Sequence, residues 1–309
     1  MFQVGQVLKG RVGSYKLTRK LQDSVWLGVN QQIEQNVIVK WVDHFRTGYE
    51  RTALLRFQDR TPHIRPLLDE VQLENGSKWP ALVLKWLEDD TLRTSARGPV
   101  TRSESKRVGA GVLKALQVIH DDGYVHTDVK PDNILVNFDP LSKEITDVQL
   151  ADLGSTVQED SKHAKDGDMI GTALFRSTEA ILEMQWARPT DVWSFGATMI
   201  SLIYGGNFNL LRPDVPVDHD EYDLKILMKQ NQFFGPPPIK YTEIADEDRL
   251  EVLTYVVENT KDNPLPFRNI TTREVSEEDK KFLLKIMKID PRDRPTVGEL
   301  LEDEWFNST

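Results

Sequence analysis

Apolar residues in the first part of the chain fall in short runs separated by turn residues. Residues 15–21, 24–29 and 36–42 are rich in Val, Leu, Ile and Trp, with Asp23 and Asn30-Gln31-Gln32 between them. Runs of this length and composition predict strands. Residues 48–57 change period: Tyr49, Ala53, Leu54 and Phe57 recur at helical spacing. Residues 80–87 (Pro-Ala-Leu-Val-Leu-Lys-Trp-Leu) predict a buried strand, followed by the polar Glu88-Asp89-Asp90. Beyond that point the spacing is helical. Val108, Val112, Ala115, Leu116 and Ile119 lie three or four apart within residues 103–122, and Gly123 closes the segment. Residues 187–204 and 277–288 predict two further helices, the second with Glu277, Glu278 and Asp279 in the turn where the helix dipole favours acids. Residues 155–168 and 207–223 read as long surface loops. The expected fold class is α+β and bilobal. A small β-rich lobe with one helix covers about residues 1–87, and a larger, mainly α-helical lobe covers about residues 88–309.

Charge narrows the partners. The 309 residues carry 49 acidic and 39 basic side chains, a net charge of -10. Phosphate backbones call for clustered cations, so nucleic acid is not an expected partner. An acidic surface suits basic partners, and equally suits plain solubility. The absence of cysteine excludes disulfides, thiolate metal sites and cysteine nucleophiles. Residues 1–15 lack the apolar core of a signal peptide, and no apolar run approaches the ~18 residues of a membrane span. The expectation is an intracellular protein, cytoplasmic or nuclear, acting as a monomer without a membrane.

One eight-residue segment concentrates chemistry. Residues 126–133 read His-Thr-Asp-Val-Lys-Pro-Asp-Asn. They place an acid (Asp128), a cation (Lys130) and an amide (Asn133) within six positions of one loop. Phosphoryl transfer needs an acceptor for a hydroxyl proton, cations against developing charge, and metal ligands. Asp128 suits the first role, Lys130 the second and Asn133 the third. Asp152, in Leu-Ala-Asp-Leu-Gly after a strand-like run at 147–151, suits Mg²⁺ coordination.

This His-x-Asp-x-Lys-x-x-Asn pattern, followed by Asp-Leu-Gly, resembles the catalytic and metal loops of protein kinases. The rest of the chain repeats the resemblance in family order. Val-Ile-Val-Lys40 is similar to the strand bearing the nucleotide lysine, and Glu50 to its helix partner. Residues 171–179 resemble the end of an activation segment. Residues 191–196 (Asp-Val-Trp-Ser-Phe-Gly) resemble the central helix that anchors the catalytic loop, and Arg294 the arginine that pairs with Glu179. The resemblance implies ATP and Mg²⁺ as cofactors and protein serine or threonine as acceptor. It further implies Leu84 as gatekeeper, the Lys85 and Leu87 backbones at the adenine edge, and Val25 and Leu135 around the ring. Lys130 with Thr172 resembles the serine/threonine type.

Finer features resemble the SR-protein kinase branch of the CMGC group. These are His-Thr-Asp, Asp-Leu-Gly, Ser-Val-Trp-Leu at 24–27, Phe175-Arg176-Ser177, and Gly-Pro-Pro-Pro at 235–238. The branch implies a basic or Arg-rich protein substrate, for which Asp214, Asp218, Asp220, Glu221 and Asp223 are a candidate docking surface beside the plainer reading of a solvated loop. Thr127 replaces an arginine that elsewhere binds a phosphorylated activation segment, so activity is expected without that phosphate. Four departures stand out. The flap at residues 21–25 lacks glycine and is about four residues short. Ile38 stands where alanine flanks the adenine. The link from Lys40 to Glu50 is short, which predicts a rotated or shortened helix. Thr178 replaces a proline. Two alternatives remain at this stage: a pseudokinase with a scaffolding role, and a small-molecule phosphotransferase of related fold.

Overall fold

Six strands and one helix form the first part of the chain: β1 (Val7–Lys9), β2 (Ser14–Gln22), β3 (Val25–Asn30), β4 (Gln35–Lys40), α1 (Phe45–Phe57), β5 (Leu67–Val71) and β6 (Ala81–Lys85). The computed structural model describes residues 2–42, 44–73 and 76–307. The strands form one antiparallel sheet in the order β1-β2-β3-β4-β6-β5. Alternation assigns the faces. Val37 and Val39 of β4 join Trp26, Val83, Leu17 and Tyr15 in one buried cluster. Ile38 and Lys40 point the other way, with Ile38 opposite Leu84 in register. β1 lies outside the expected strands, because three residues are too few to display alternation.

The chain continues through β7 (Asp89–Asp90), α2 (Thr91–Ala96), α3 (Arg102–Asp121) and β8 (Tyr124–Val125), then β9 (Ile134–Phe138) and β10 (Ile145–Leu150). After these come β11 (Val157–Gln158), α4 (Lys162–Asp166), α5 (Thr178–Ile181), α6 (Pro189–Tyr204), α7 (Tyr222–Phe234), α8 (Glu247–Thr260), α9 (Glu277–Ile286) and α10 (Val297–Leu301). The chain divides into two units, Met1–Asp89 with Leu135–Thr156, and Asp90–Ile134 with Val157–Thr309. Residues 135–156, which the linear reading gave to the helical lobe, thus group with the sheet. The α+β class holds: the first unit is β-rich with one long helix, the second mainly helical. No helix among the described residues is long and apolar enough to cross a membrane.

Caps fix the helix ends. Thr101 and Glu104 form a reciprocal capping box that starts α3, and the Ser276 side chain accepts from Asp279 N–H to start α9. The central helix α6 is buried on nearly every side, from Thr190 to Leu202. Its predominantly apolar sequence, buried on all faces, is therefore a core signature rather than a membrane one.

Two expectations need correction. The short link after Lys40 does not displace the following helix. α1 runs for 13 residues and brings Glu50 to Lys40. Residues 155–168 are not simply a loop: they contain β11 and α4, and Ala164 is fully buried. α7 and α8 carry no clear helical signal in the sequence. Each buries three residues, Ile226, Leu227 and Gln230 in one and Leu253, Val256 and Thr260 in the other. So sparse an apolar stripe leaves little periodicity to read.

Candidate active site

In the first unit, the pleat of β4 turns Lys40 away from the apolar cluster. Its Nζ lies 2.8 Å from Glu50 Oε2 and 2.7 Å from Asp152 Oδ1. Glu50 is buried, while the Asp152 side chain is nearly half exposed. Burial works against the Lys40 ammonium, but the two carboxylates outweigh it and hold its pKa above the ordinary value. Asp152 has φ +58°, left-handed backbone that Asp tolerates better than most residues, and a single helical turn from Leu153 to Ser155 packs on α1. The conformation aims a carboxylate while Leu153 and Gly154 go into the core.

Of the base-edge candidates, Leu84 and Leu87 are buried, and Val25 and Leu135 are half-buried. Val25 opens β3 and sits opposite Lys40 in register. The Lys85 side chain pairs with Asp147 at 2.9 Å, and its N–H donates to Pro66 O at 3.0 Å. Its carbonyl accepts from Arg65 Nε at 2.8 Å. Sequence reasoning missed Arg65, because a single arginine before a proline carries no periodic signal. Burial pushes its guanidinium down to about 10 against the pull of Glu50 and Asp152, so it remains a cation at neutral pH.

The flap departs from the family pattern as expected. β2 and β3 close through Asp23 and Ser24 alone, with Gln22 opposite Val25. Lys20 bonds Asp23 across this turn at 2.8 Å.

In the second unit, Asp191 on α6 organises the loop of residues 126–133. Its Oδ2 accepts from His126 N–H at 2.7 Å and its Oδ1 from Thr127 N–H at 2.8 Å. His120 Nε2 lies 2.9 Å from the same carboxylate. Thr127 adopts φ +72°, a conformation β-branched residues rarely take. The loop then presents Asp128, Lys130 and Asn133 together. Asn133 Nδ2 donates to Asp128 O at 2.8 Å and to Asp128 Oδ2 at 3.1 Å. Lys130 Nζ lies 3.1 Å from Asp128 Oδ2. The Thr172 hydroxyl accepts from Lys130 Nζ and donates to Asp128 Oδ1, both at 2.9 Å. Gly171 makes that approach possible: at φ +62° a side chain there would come within 2.5 Å of Thr127 O.

The segment leading to Thr172 is held by packing. β11 pairs with β8, and Val125, Ala164, Ala180 and Trp186 form a buried cluster with Val157 and Ile170 against it. Arg176 donates to Ile170 O and Gly171 O and pairs with Asp223. The buried Arg294 bonds both oxygens of Glu179 at 2.6 and 2.8 Å and donates to three backbone carbonyls. Every guanidinium N–H is thereby satisfied, which is the condition for an ion pair to sit in a core.

Each unit, taken by itself, presents a donor of the kind Mg²⁺ accepts. Among the described residues no three acids or histidines cluster as a metal cage. Mg²⁺ needs none, since it is held by one or two side chains plus phosphate and water oxygens. Asp152 offers a partly exposed carboxylate in the first unit. In the second, Asn133 spends its N–H donors on Asp128, which orients its amide oxygen as an acceptor.

Comparison with known proteins agrees with this geometry. The protein kinase domain family matches residues 23–306. Dual specificity protein kinase CLK2 of Homo sapiens is 28% identical over 244 residues, which cover 70% of this chain and 46% of that protein. Serine/threonine-protein kinase Doa of Drosophila melanogaster is 25% identical over 241 residues, 71% of this chain and 28% of its own. Serine/threonine-protein kinase 33 of Mus musculus is 25% identical over 233 residues, 73% and 39% respectively. The chain spans about half the length, or less, of these curated relatives. The CLK kinases are of the CMGC type, in keeping with the branch that His-Thr-Asp and Asp-Leu-Gly resemble. With the match running across nearly its whole length, the chain belongs to the protein kinase domain family.

Proposed function

We propose that the chain is a serine/threonine protein kinase that transfers the γ-phosphoryl group of a nucleoside triphosphate to a protein hydroxyl. The observation that carries this reading is the Thr172 hydroxyl shared between Lys130 and Asp128. It shows that Asp128 already accepts a hydroxyl hydrogen bond beside a cation. The same geometry suits a substrate serine or threonine: Asp128 accepts the proton, and Lys130 offsets charge on the transferring group. Lys40, fixed by Glu50 and Asp152, is poised to hold phosphate oxygens. Mg-ATP, when bound, supplies the transferable group and a counter-charge for it; Asp152 and Asn133 are the proposed metal ligands. Val25, Leu84, Leu87 and Leu135 are proposed to flank the base.

Two readings of this activity are finer. Activity without activation-segment phosphorylation is supported by the cluster around Ala164 and Trp186, which secures that segment without an added charge. An Arg-rich substrate is supported by Asp214, Asp218, Asp220 and Glu221, all exposed; Asp223 is already engaged by Arg176. A purely scaffolding role has no physical need for the ordered Asp128–Lys130–Thr172 contacts and is not favoured.

The test is phosphate transfer from Mg-ATP to an Arg-Ser peptide. Asp128→Asn is expected to lower kcat by about 10²- to 10⁴-fold. Asp152→Asn is expected to abolish the thermal shift given by Mg-ATP. A wild-type chain that neither shifts nor transfers with any Mg-nucleoside triphosphate would overturn the proposal.

A further inference from the structure

Arg65 occupies a place that the proposed chemistry leaves unexplained. Its backbone is pinned on both sides. Arg65 N–H donates to Leu150 O at 2.9 Å, Ile64 bridges Leu150, and the next residue is Pro66. A residue before proline is held extended, so the side chain leaves the backbone in a fixed direction. That direction leads to β6, where Nε donates to the Lys85 carbonyl at 2.8 Å. The guanidinium also lies in the field of Glu50 and Asp152. Its terminal amino groups make no hydrogen bond among the described residues, and neither is a fully buried, unpaired atom.

The Lys85 carbonyl is the group expected to accept from the amino group on carbon 6 of adenine. It already accepts a charged donor on one of its two lone pairs, and the same guanidinium carries further donors. An amino group brought to this edge meets like polarity. A purine with an oxo group on carbon 6 presents an acceptor instead. A site with surplus donors discriminates against a ligand that brings another donor, because the mismatched groups are left unpaired. Ile38, buried opposite Leu84, restricts a shift of the ring to avoid the contact.

We propose that Arg65 is a specificity-determining residue that turns base recognition away from adenine and toward 6-oxo purines, making a guanine-type nucleoside triphosphate the better phosphoryl donor. This rests on the reading above that residues 85–87 meet the base.

The experiment titrates the full chain, in Mg²⁺, with fluorescent N-methylanthraniloyl-ATP and N-methylanthraniloyl-GTP, and repeats both with Arg65→Met. Wild-type protein is expected to bind the GTP analogue at least about threefold more tightly. Arg65→Met is expected to tighten the ATP analogue about tenfold and reverse the order. Should Arg65→Met not fold, the wild-type ratio alone decides the matter. Tighter binding of the ATP analogue by wild-type protein, together with peptide phosphorylation from ATP, overturns the role of Arg65 and leaves the kinase reading intact. Failure of both analogues to bind both proteins overturns this proposal and the kinase reading together.

Discussion

The Asp191 carboxylate accepts the Thr127 amide at 2.8 Å, and through it a loop residue is held at φ +72°. Such backbone strain costs about 1–3 kcal/mol and persists only where surrounding structure enforces it. Asp191 is the enforcing group, since it also takes the His126 amide and His120. Asp191→Ala is therefore expected to orphan two buried amides, at about 1–3 kcal/mol each. Asp191→Asn keeps one acceptor oxygen and should recover part of the loss. Denaturant midpoints measured beside peptide phosphorylation check both. An alanine variant of wild-type stability would contradict the anchoring role.

The packed activation segment leads to a second expectation. Phosphatase treatment should leave transfer rates within about twofold of the untreated protein, because no phosphate-binding arginine stands at Thr127. Trp186→Ala should instead reduce stability by about 3–5 kcal/mol, the usual range for removing a buried tryptophan. Trp186 Nε1 also donates to Asp168 O at 2.9 Å, so the change should loosen the segment ahead of Thr172. Unfolding curves and limited proteolysis report the two effects separately. A phosphatase-treated sample that lost activity would defeat the first expectation.

The sequence made much of this legible, for identifiable reasons. Asp128, Lys130 and Asn133 share one loop, so their proximity follows from chain connectivity. Lys40 and Glu50 lie on successive elements, and alternation along β4 already set the direction of the lysine. Asp191 was legible only through a family pattern, since its partners are 64 and 65 residues away. Arg65 was not legible at all. Its importance comes from a contact with Lys85 across two paired strands, and no spacing in sequence encodes that contact. Asp69 was missed for the same reason: its donors come from a turn more than 50 residues earlier.

That turn supports a pH-dependent expectation. Asp69 on β5 accepts from the backbone N–H groups of Arg11, Val12, Gly13 and Glu70 and from the Tyr15 hydroxyl, at 2.7–3.0 Å. Burial works against its carboxylate, but the donors outweigh it and hold the pKa below the usual range. A group whose folded pKa is depressed contributes stability above its unfolded pKa, about 3.9, and loses it as pH falls through the folded value. Asp69→Asn should therefore cost about 2–3 kcal/mol at neutral pH. The gap to wild type should stay level down to about pH 4 and narrow below it. Urea unfolding across that pH range checks the sign. A gap that widens on acidification would show that Asp69 acts otherwise.

The two-residue turn at Asp23 and Ser24 sets the last expectation. A longer glycine-bearing flap would supply backbone N–H groups to nucleotide phosphates, each bond to a charged partner being worth about 1.5–3 kcal/mol. The entropic cost of lengthening a short loop is small, about 0.6 kcal/mol per doubling. Replacing Asp23-Ser24 with a six-residue segment containing two glycines should thus tighten Mg-nucleotide binding by about 10- to 10³-fold. The Lys20–Asp23 pair that the replacement removes is exposed and contributes little. Calorimetric titration of both proteins with one nucleotide gives the comparison. If Kd does not fall, Lys40 and the bound metal already hold the phosphates as firmly as this site allows, and the short flap is an economy rather than a defect.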